Sequence, residues 1–290
     1  MTISKRLAIS ALALAAVFTL SACTDSGAGS PTSAPVASAP KFAAGTTMAK
    51  LSDAGTITIG TKFDQPLFGL KGPDGTPVGF DVEIGKLIAG KLGITADKIK
   101  WVETVSANRE PFIQNGQVDI VVATYTINDK RKEVVDFAGP YYQAGQDLLV
   151  LAGNPDKITG PKDLTGKKVC TVSGSTSEKN IAAYTTDIIA TDTYSNCLGP
   201  LRSGEVAAVT TDNVILAGLA DQNAGQFEVI DKPFTEEPYG IGLKKGDTEF
   251  RTFINDTLEA SYTDGAWASA WKATAGKVLA TPKPPAVNRY

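Results

Sequence analysis

Three cations and a set of small polar side chains sit where strand-like runs give way to turns. Arg131 ends the run DIVVATYTINDKR (119–131). Its planar guanidinium is suited to pairing with a carboxylate through two parallel hydrogen bonds. Thr124 and Thr126 alternate just before it, which puts both on one side of an extended segment. From residue types alone, a surface arginine with threonines that suit β structure is the plainer reading. Ser175, Thr176 and Ser177 follow Gly174 and open a helical stretch; their hydroxyls can cap that helix, and its free N–H groups attract anions. Simple capping explains them equally well. Asp212 follows a strand and taken alone reads as a turn or cap residue. Lys62, two residues after Gly60, and Arg109, just before Pro111-Phe112, are either solvated charges or cations of a pocket.

Composition removes several chemistries. The chain has 290 residues and no histidine, so it has no imidazole base, no histidine-held triad and no histidine metal ligand. Three cysteines without histidine cannot complete a four-ligand Cys/His zinc site, and neither a metal nor another cofactor is expected. A formal net charge of -3 argues against a nucleic-acid partner, which calls for a basic stripe. The chain lacks a GxxxxGK[ST] nucleotide loop and obvious paired acid–base carboxylates.

The first residues read as an export address. Lys5 and Arg6 precede an apolar run over 7–20, shorter than the roughly 20 residues that span a bilayer. The run ends in Leu20-Ser21-Ala22-Cys23, which resembles the lipobox of bacterial lipoproteins; that resemblance implies cleavage after residue 22 and lipid on Cys23. The mature chain would carry 26 basic and 31 acidic residues, so acyl chains rather than charge would hold it to a membrane. Residues 24–48, rich in Ser, Ala, Pro, Gly and Thr, read as a disordered tether. Cys170 and Cys197 remain as an even pair in an exported chain. A disulfide between them is favoured over two buried thiols and would contribute about 3 kcal/mol on the loop-entropy model.

The polar residues need elements to carry them. Strands are expected at 56–60, 99–105, 119–123, 168–172, 191–193 and 207–211. Helices are expected at 80–93, 112–115, 177–184, 214–220 and 250–271, with a loop or hairpin over 69–79. Helix and strand alternate, so the fold class is α/β with mixed, mostly parallel sheets. The pattern restarts after residue 147, which implies two lobes joined by two crossings. The expected layout is a first lobe over 49–146, a second over 147–238, a return to the first over 239–275, and a tail over 276–290 that cannot continue a helix. The crossings are placed near 147–151 and 236–243.

Four blocks in order then resemble one family. GFDVEI (79–84) with Ile88, Ala89 and Leu92 is similar to the signature of family 3 solute-binding proteins, the polar amino-acid receptors of ABC importers. Residues 119–131 with VDFAGPYY (135–142), then 166–177 and 204–213, extend the resemblance over about 50–275. KFDQP (62–66) and ATYTIN (123–128), with the cysteine pair, are most similar to glutamate-binding lipoproteins of Gram-positive bacteria. The resemblance implies a two-lobed, type II periplasmic-binding-protein fold. It implies that Arg131, Thr124, Thr126, Ser175 and Thr176 hold a ligand α-carboxylate, that Asp212 holds the α-ammonium, and that Lys62 and Arg109 face a distal carboxylate.

The expected function is non-enzymatic. A monomeric lipoprotein would capture glutamate, then aspartate, with glutamine or asparagine less favoured, by closure of two lobes. It would deliver the ligand to a membrane permease whose ATPase is a separate chain. A sensor for a membrane signalling partner uses the same closure and stays open as an alternative. A dehydratase-like enzyme on the same scaffold is a distant third.

Overall fold

The computed structural model describes residues 41–290. The export segment, Cys23 and the tether up to residue 40 lie outside the described residues. The first helix, α1 (Thr47–Ala54), reaches two residues into the stretch read as tether; Thr46 Oγ1 caps it by accepting from the Ala49 N–H, and Gly55 ends it.

The first lobe is built from β1 (Ile57–Thr61), a small three-stranded sheet of β2 (Asp64–Gln65), β3 (Gly69–Lys71) and β4 (Pro77–Val78), then α2 (Phe80–Lys91), β5 (Ile99–Glu103), α3 (Arg109–Gln114), β6 (Ile120–Val121), α4 (Asp129–Lys132) and β7 (Val135–Ala144). The second lobe follows with β8 (Gln146–Leu151), β9 (Val169–Val172), α5 (Thr176–Ile181), β10 (Ile188–Thr191), α6 (Leu198–Ser203), β11 (Ala208–Asp212), α7 (Asn213–Gln222) and β12 (Phe227–Val229). The chain returns to the first lobe through β13 (Glu237–Lys244), α8 (Thr248–Asp264) and α9 (Ala266–Ala273).

Each lobe centres on a five-stranded sheet, ordered β5-β1-β6-β13-β7 and β10-β9-β11-β8-β12. In the first, β1 runs parallel to β5 and β6, while β13 runs antiparallel to β6 and β7. In the second, β9 runs parallel to β10 and β11, while β8 runs antiparallel to β11 and β12. Parallel pairing therefore makes up half of each sheet rather than most of it. The strands that cross between lobes cause this: β8 and β13 enter their sheets against the direction of the strands beside them. The crossings lie at Gly145, between β7 and β8, and between β12 and β13.

Two other expectations shift. The strand placed at 191–193 is β10 (Ile188–Thr191), followed by a 3-10 turn, Tyr194–Cys197, that uses Thr193 as its N-cap. The single return helix is two, because Gly265 adopts a left-handed backbone (φ 83°). The rest follows from local chemistry. Helix α2 opens with Asp81 and Glu83, ends with Lys91, and buries Ile84, Ile88 and Ala89. Its Phe80 meets Trp267 and Trp271 of α9 edge-on, at 5.4 and 5.1 Å, and Tyr142 stacks on Trp271 at 5.0 Å. A disulfide joins Cys170 of β9 to Cys197. The extended tail returns to β7: the Asn288 N–H donates to Gly139 O at 2.8 Å, and Tyr290 Oη accepts from the Phe137 N–H at 2.8 Å.

Candidate ligand-binding site

The strand ends and helix starts of both lobes converge on one interlobe cavity. From the first lobe come Arg109 at the start of α3 and Thr124 and Thr126 beyond β6; from the second come Ser175 and Thr176, the N-cap and first residue of α5, and Asp212 at the end of β11. Six of the eight expected ligand contacts thus share one lining. Lys62 and Arg131 are not in it; they stand directly behind. Lys62 Nζ donates to Ser106 Oγ at 2.8 Å, and Ser106 lines the cavity. Arg131 donates to Thr126 O at 2.7 Å, to Gly174 O of the other lobe at 3.3 Å, and to Glu110 Oε1 at 3.1 Å.

The two threonines reach the cavity by a different route from simple strand alternation. Strand β6 stops at Val121, and Thr124 takes a left-handed backbone (φ 43°). That conformation is costly for a β-branched residue and needs outside support. Asp81 supplies it: Oδ2 accepts from the Thr124 N–H at 2.7 Å, while Oδ1 accepts from Tyr141 Oη at 2.6 Å. The acidic start of α2 is therefore a brace for the site as well as a dipole partner. Thr124 Oγ1 donates to Gln65 Oε1 at 2.9 Å.

The site is a dense charge cluster. Arg109 and Arg131 flank the ring of Tyr125, at 4.4 and 4.9 Å. Arg109 also donates to Ser106 O, Ala123 O and Thr124 O. Burial, then the neighbouring Arg109 charge, pushes Lys62 down to about 7. The same two causes in the same order lower Arg131 to about 10. Burial raises the Asp81 carboxyl to about 7 against its two hydrogen-bond donors.

Asp212 sits at the N-cap of α7 but makes no side-chain capping bond. Its Oδ2 accepts from Tyr239 Oη at 2.6 Å, and its Oδ1 is buried with no hydrogen-bond partner. Burial, then the charge of Glu237, raises its pKa to about 7. Such an oxygen is satisfied by a donor brought into the cleft, and an ammonium group is the strongest such donor. Ser175 does cap, accepting from the Glu178 N–H at 2.9 Å, and it also lines the cavity.

Sequence reading missed Ser106, Tyr194 and Thr211 in the lining, and Gln65, Asp81 and Glu237 behind it. Asp81 lay in plain view within GFDVEI, but its contact is with a segment 43 residues away. Tyr194 is brought in by a 3-10 turn that carries no apolar period. Among the described residues no group of His, Cys, Asp or Glu could hold a metal ion, and no helix is long and apolar enough to cross a membrane.

A sequence profile of the bacterial extracellular solute-binding proteins, family 3, matches residues 57–273. The chain belongs to this family. This solute-binding protein is 40% identical over 272 residues to the glutamate-binding protein GluB of Corynebacterium efficiens, covering 90% of this chain and 86% of the relative. It is 38% identical over 272 residues to the ABC transporter glutamine-binding protein GlnH of Bacillus subtilis, covering 92% and 96%. Among solved structures it is similar to an ancestral arginine-binding protein bound to glutamine, with a TM-score of 0.70, 37% identity, and coverage of 76% of this chain and 97% of that one. These relatives are binding proteins, and the chain is a binding protein rather than an enzyme. The α/β two-lobed fold is the one expected from the sequence.

Proposed function

We propose that this solute-binding protein captures an acidic amino acid, glutamate first and aspartate next, between its two lobes and hands it to the permease of an ABC importer. The observation that carries the reading is the gathering of Lys62, Arg109 and Arg131 behind and within a cavity whose opposite wall offers the unpartnered Asp212 Oδ1. An α-amino acid with a second carboxylate carries one positive and two negative groups, each costly to bury without a partner. In this reading Asp212 takes the ammonium. Arg131, with Thr124, Thr126, Ser175 and Thr176, takes the α-carboxylate, and Lys62 and Arg109 take the distal carboxylate. Contacts from both lobes favour the closed arrangement through differential affinity. The names of the two curated relatives fit an amino-acid ligand and an importer.

Glutamine is the second reading. Lys62 and Arg109 already spend donors on Ser106 Oγ and three backbone carbonyls, so the distal end of the site also suits an amide. Titration calorimetry with all twenty amino acids tests both. Glutamate tightest supports the first reading, glutamine tightest the second, and a preference for basic or large apolar side chains rejects the site as drawn. Uptake of the ligand by cells lacking the gene separates transport from signalling: loss of uptake supports the importer. Lipid on Cys23 belongs to the same proposal, and a mass shift of the mature N-terminal peptide by acyl chains tests it.

A further inference from the structure

The ligand cavity is not the only place where the lobes meet. Asp64 of β2 lies in the first lobe, and its Oδ2 accepts at 2.9 Å from the backbone N–H of Tyr194, the first residue of the 3-10 turn Tyr194–Cys197 in the second. The turn's own N-cap, Thr193, makes no capping bond, and its hydroxyl pairs with Ser195 Oγ at 3.1 Å. A helical turn leaves its first N–H groups without internal acceptors, and a carboxylate is a strong cap for them. Here the cap comes from the opposite lobe. The capped turn is itself anchored, because Cys197 at its end is tied to Cys170 of β9.

The next residues of the first lobe continue the contact. Leu67 holds a left-handed backbone (φ 73°), a strained state for a leucine, and the corner it makes presses on α7. A Cβ added at Gly218 of α7 would lie 2.6 Å from Pro66 O and 3.2 Å from Leu67 Cγ. Gly218 is in regular helix, so space and not backbone freedom calls for glycine there. Asp64, Pro66, Leu67 and Gly218 all stand outside the lining of the ligand cavity.

We propose that the Asp64–Leu67 corner is a closure latch: it caps the Tyr194 turn and seats on Gly218, so Asp64 and Gly218 set how long any ligand stays bound without touching it. The latch rests on the reading that the lobes close over a ligand, but not on which ligand that is. Each lost contact should cost the closed arrangement alone, so the penalty appears in dissociation.

The test uses Asp64→Ala, Asp64→Asn and Gly218→Val, with Gly218→Ala as the milder form, and two readouts. Stopped-flow dissociation of glutamate and of glutamine should quicken about 10-fold in Asp64→Ala and Gly218→Val, equally for both ligands, a change of about 1.4 kcal/mol. Asp64→Asn keeps an acceptor oxygen and should stay within about 3-fold of the parent. Hydrogen exchange of the Tyr194 amide, followed at saturating ligand, should be protected in the parent and in Asp64→Asn, and less protected in Asp64→Ala and Gly218→Val. Unchanged dissociation and unchanged Tyr194 protection overturn the latch. A loss confined to glutamate overturns it too, since Asp64 would then be acting through Lys62 in the pocket. If neither amino acid binds the parent, the ligand assignment fails, and Tyr194 exchange with whichever amino acid calorimetry finds to bind decides the latch. If Gly218→Val does not fold, Gly218→Ala and the Ala/Asn pair at Asp64 decide it.

Discussion

Lys62→Gln separates a pocket for a carboxylate from a pocket for an amide. In the parent, Lys62 is buried, with Nζ 2.8 Å from Ser106 Oγ at the cavity wall. A hydrogen bond to a charged group is worth about 1.5–3 kcal/mol and a neutral one about 0.5–1.5 kcal/mol. Replacing the ammonium by an amide should therefore cost glutamate about 1.3 kcal/mol more than it costs glutamine, a relative loss of about 10-fold. Proton linkage gives a second signature. Burial and Arg109 hold Lys62 down at about 7, and a distal carboxylate brought beside it favours the charged form. The bound state then holds more protons than the free cleft above pH 7, so glutamate binding takes up protons at about pH 8.5 and loses affinity as pH rises further. Glutamine binding has no such uptake, and Lys62→Gln abolishes it for glutamate. Calorimetry in two buffers of different ionisation enthalpy measures both quantities. Equal losses for the two ligands, or glutamate binding without proton uptake, would refute the placing of Lys62 against the distal carboxylate.

Arg131→Ala should weaken glutamate and glutamine alike by at least about 100-fold, since it removes the partner of a buried carboxylate at a cost of about 3–5 kcal/mol; calorimetry that finds either ligand still bound near parental strength contradicts the α-carboxylate role. Asp212, raised to about 7 by burial and Glu237, should lose its proton when it meets the ligand ammonium. Binding at pH 6 should then release close to one proton and weaken as pH falls from 7 toward 5, whereas proton uptake at pH 6 would place the ammonium elsewhere. Removing residues 286–290 deletes the Asn288 and Tyr290 hydrogen bonds to β7 and the packing of the Tyr290 ring between Lys132 and Arg251, each 4.3 Å away. A loss of about 2 kcal/mol and a melting temperature lower by roughly 5 °C are expected, and an unchanged melt would show that the tail is idle.

Most of the scaffold was legible because its signals are local. The Phe80–Lys91 helix announces itself by acidic start, apolar stripe and basic end, and the buried strands by short apolar runs closed by glycine. The six lining residues were legible for a different reason: a recurring family pattern places them, while their types alone would have left Asp212 as an ordinary cap. What the sequence hid depends on long-range partners. The left-handed Thr124 is dictated by Asp81, and the direction of β8 and β13 is dictated by two crossings that no local period encodes. The withdrawn position of Arg131 is equally non-local, because Gly174 O from the other lobe and Glu110 from α3 claim its donors.

A crystal structure of the protein grown with glutamate tests the pocket most directly. One amino acid is expected between the lobes, its ammonium on Asp212 Oδ1, one carboxylate on Arg131 and the other within hydrogen-bond reach of Lys62 or Arg109. Glutamate lying with its distal carboxylate toward Asp212, or Arg131 turned out into bulk water beside an empty cleft, would contradict it.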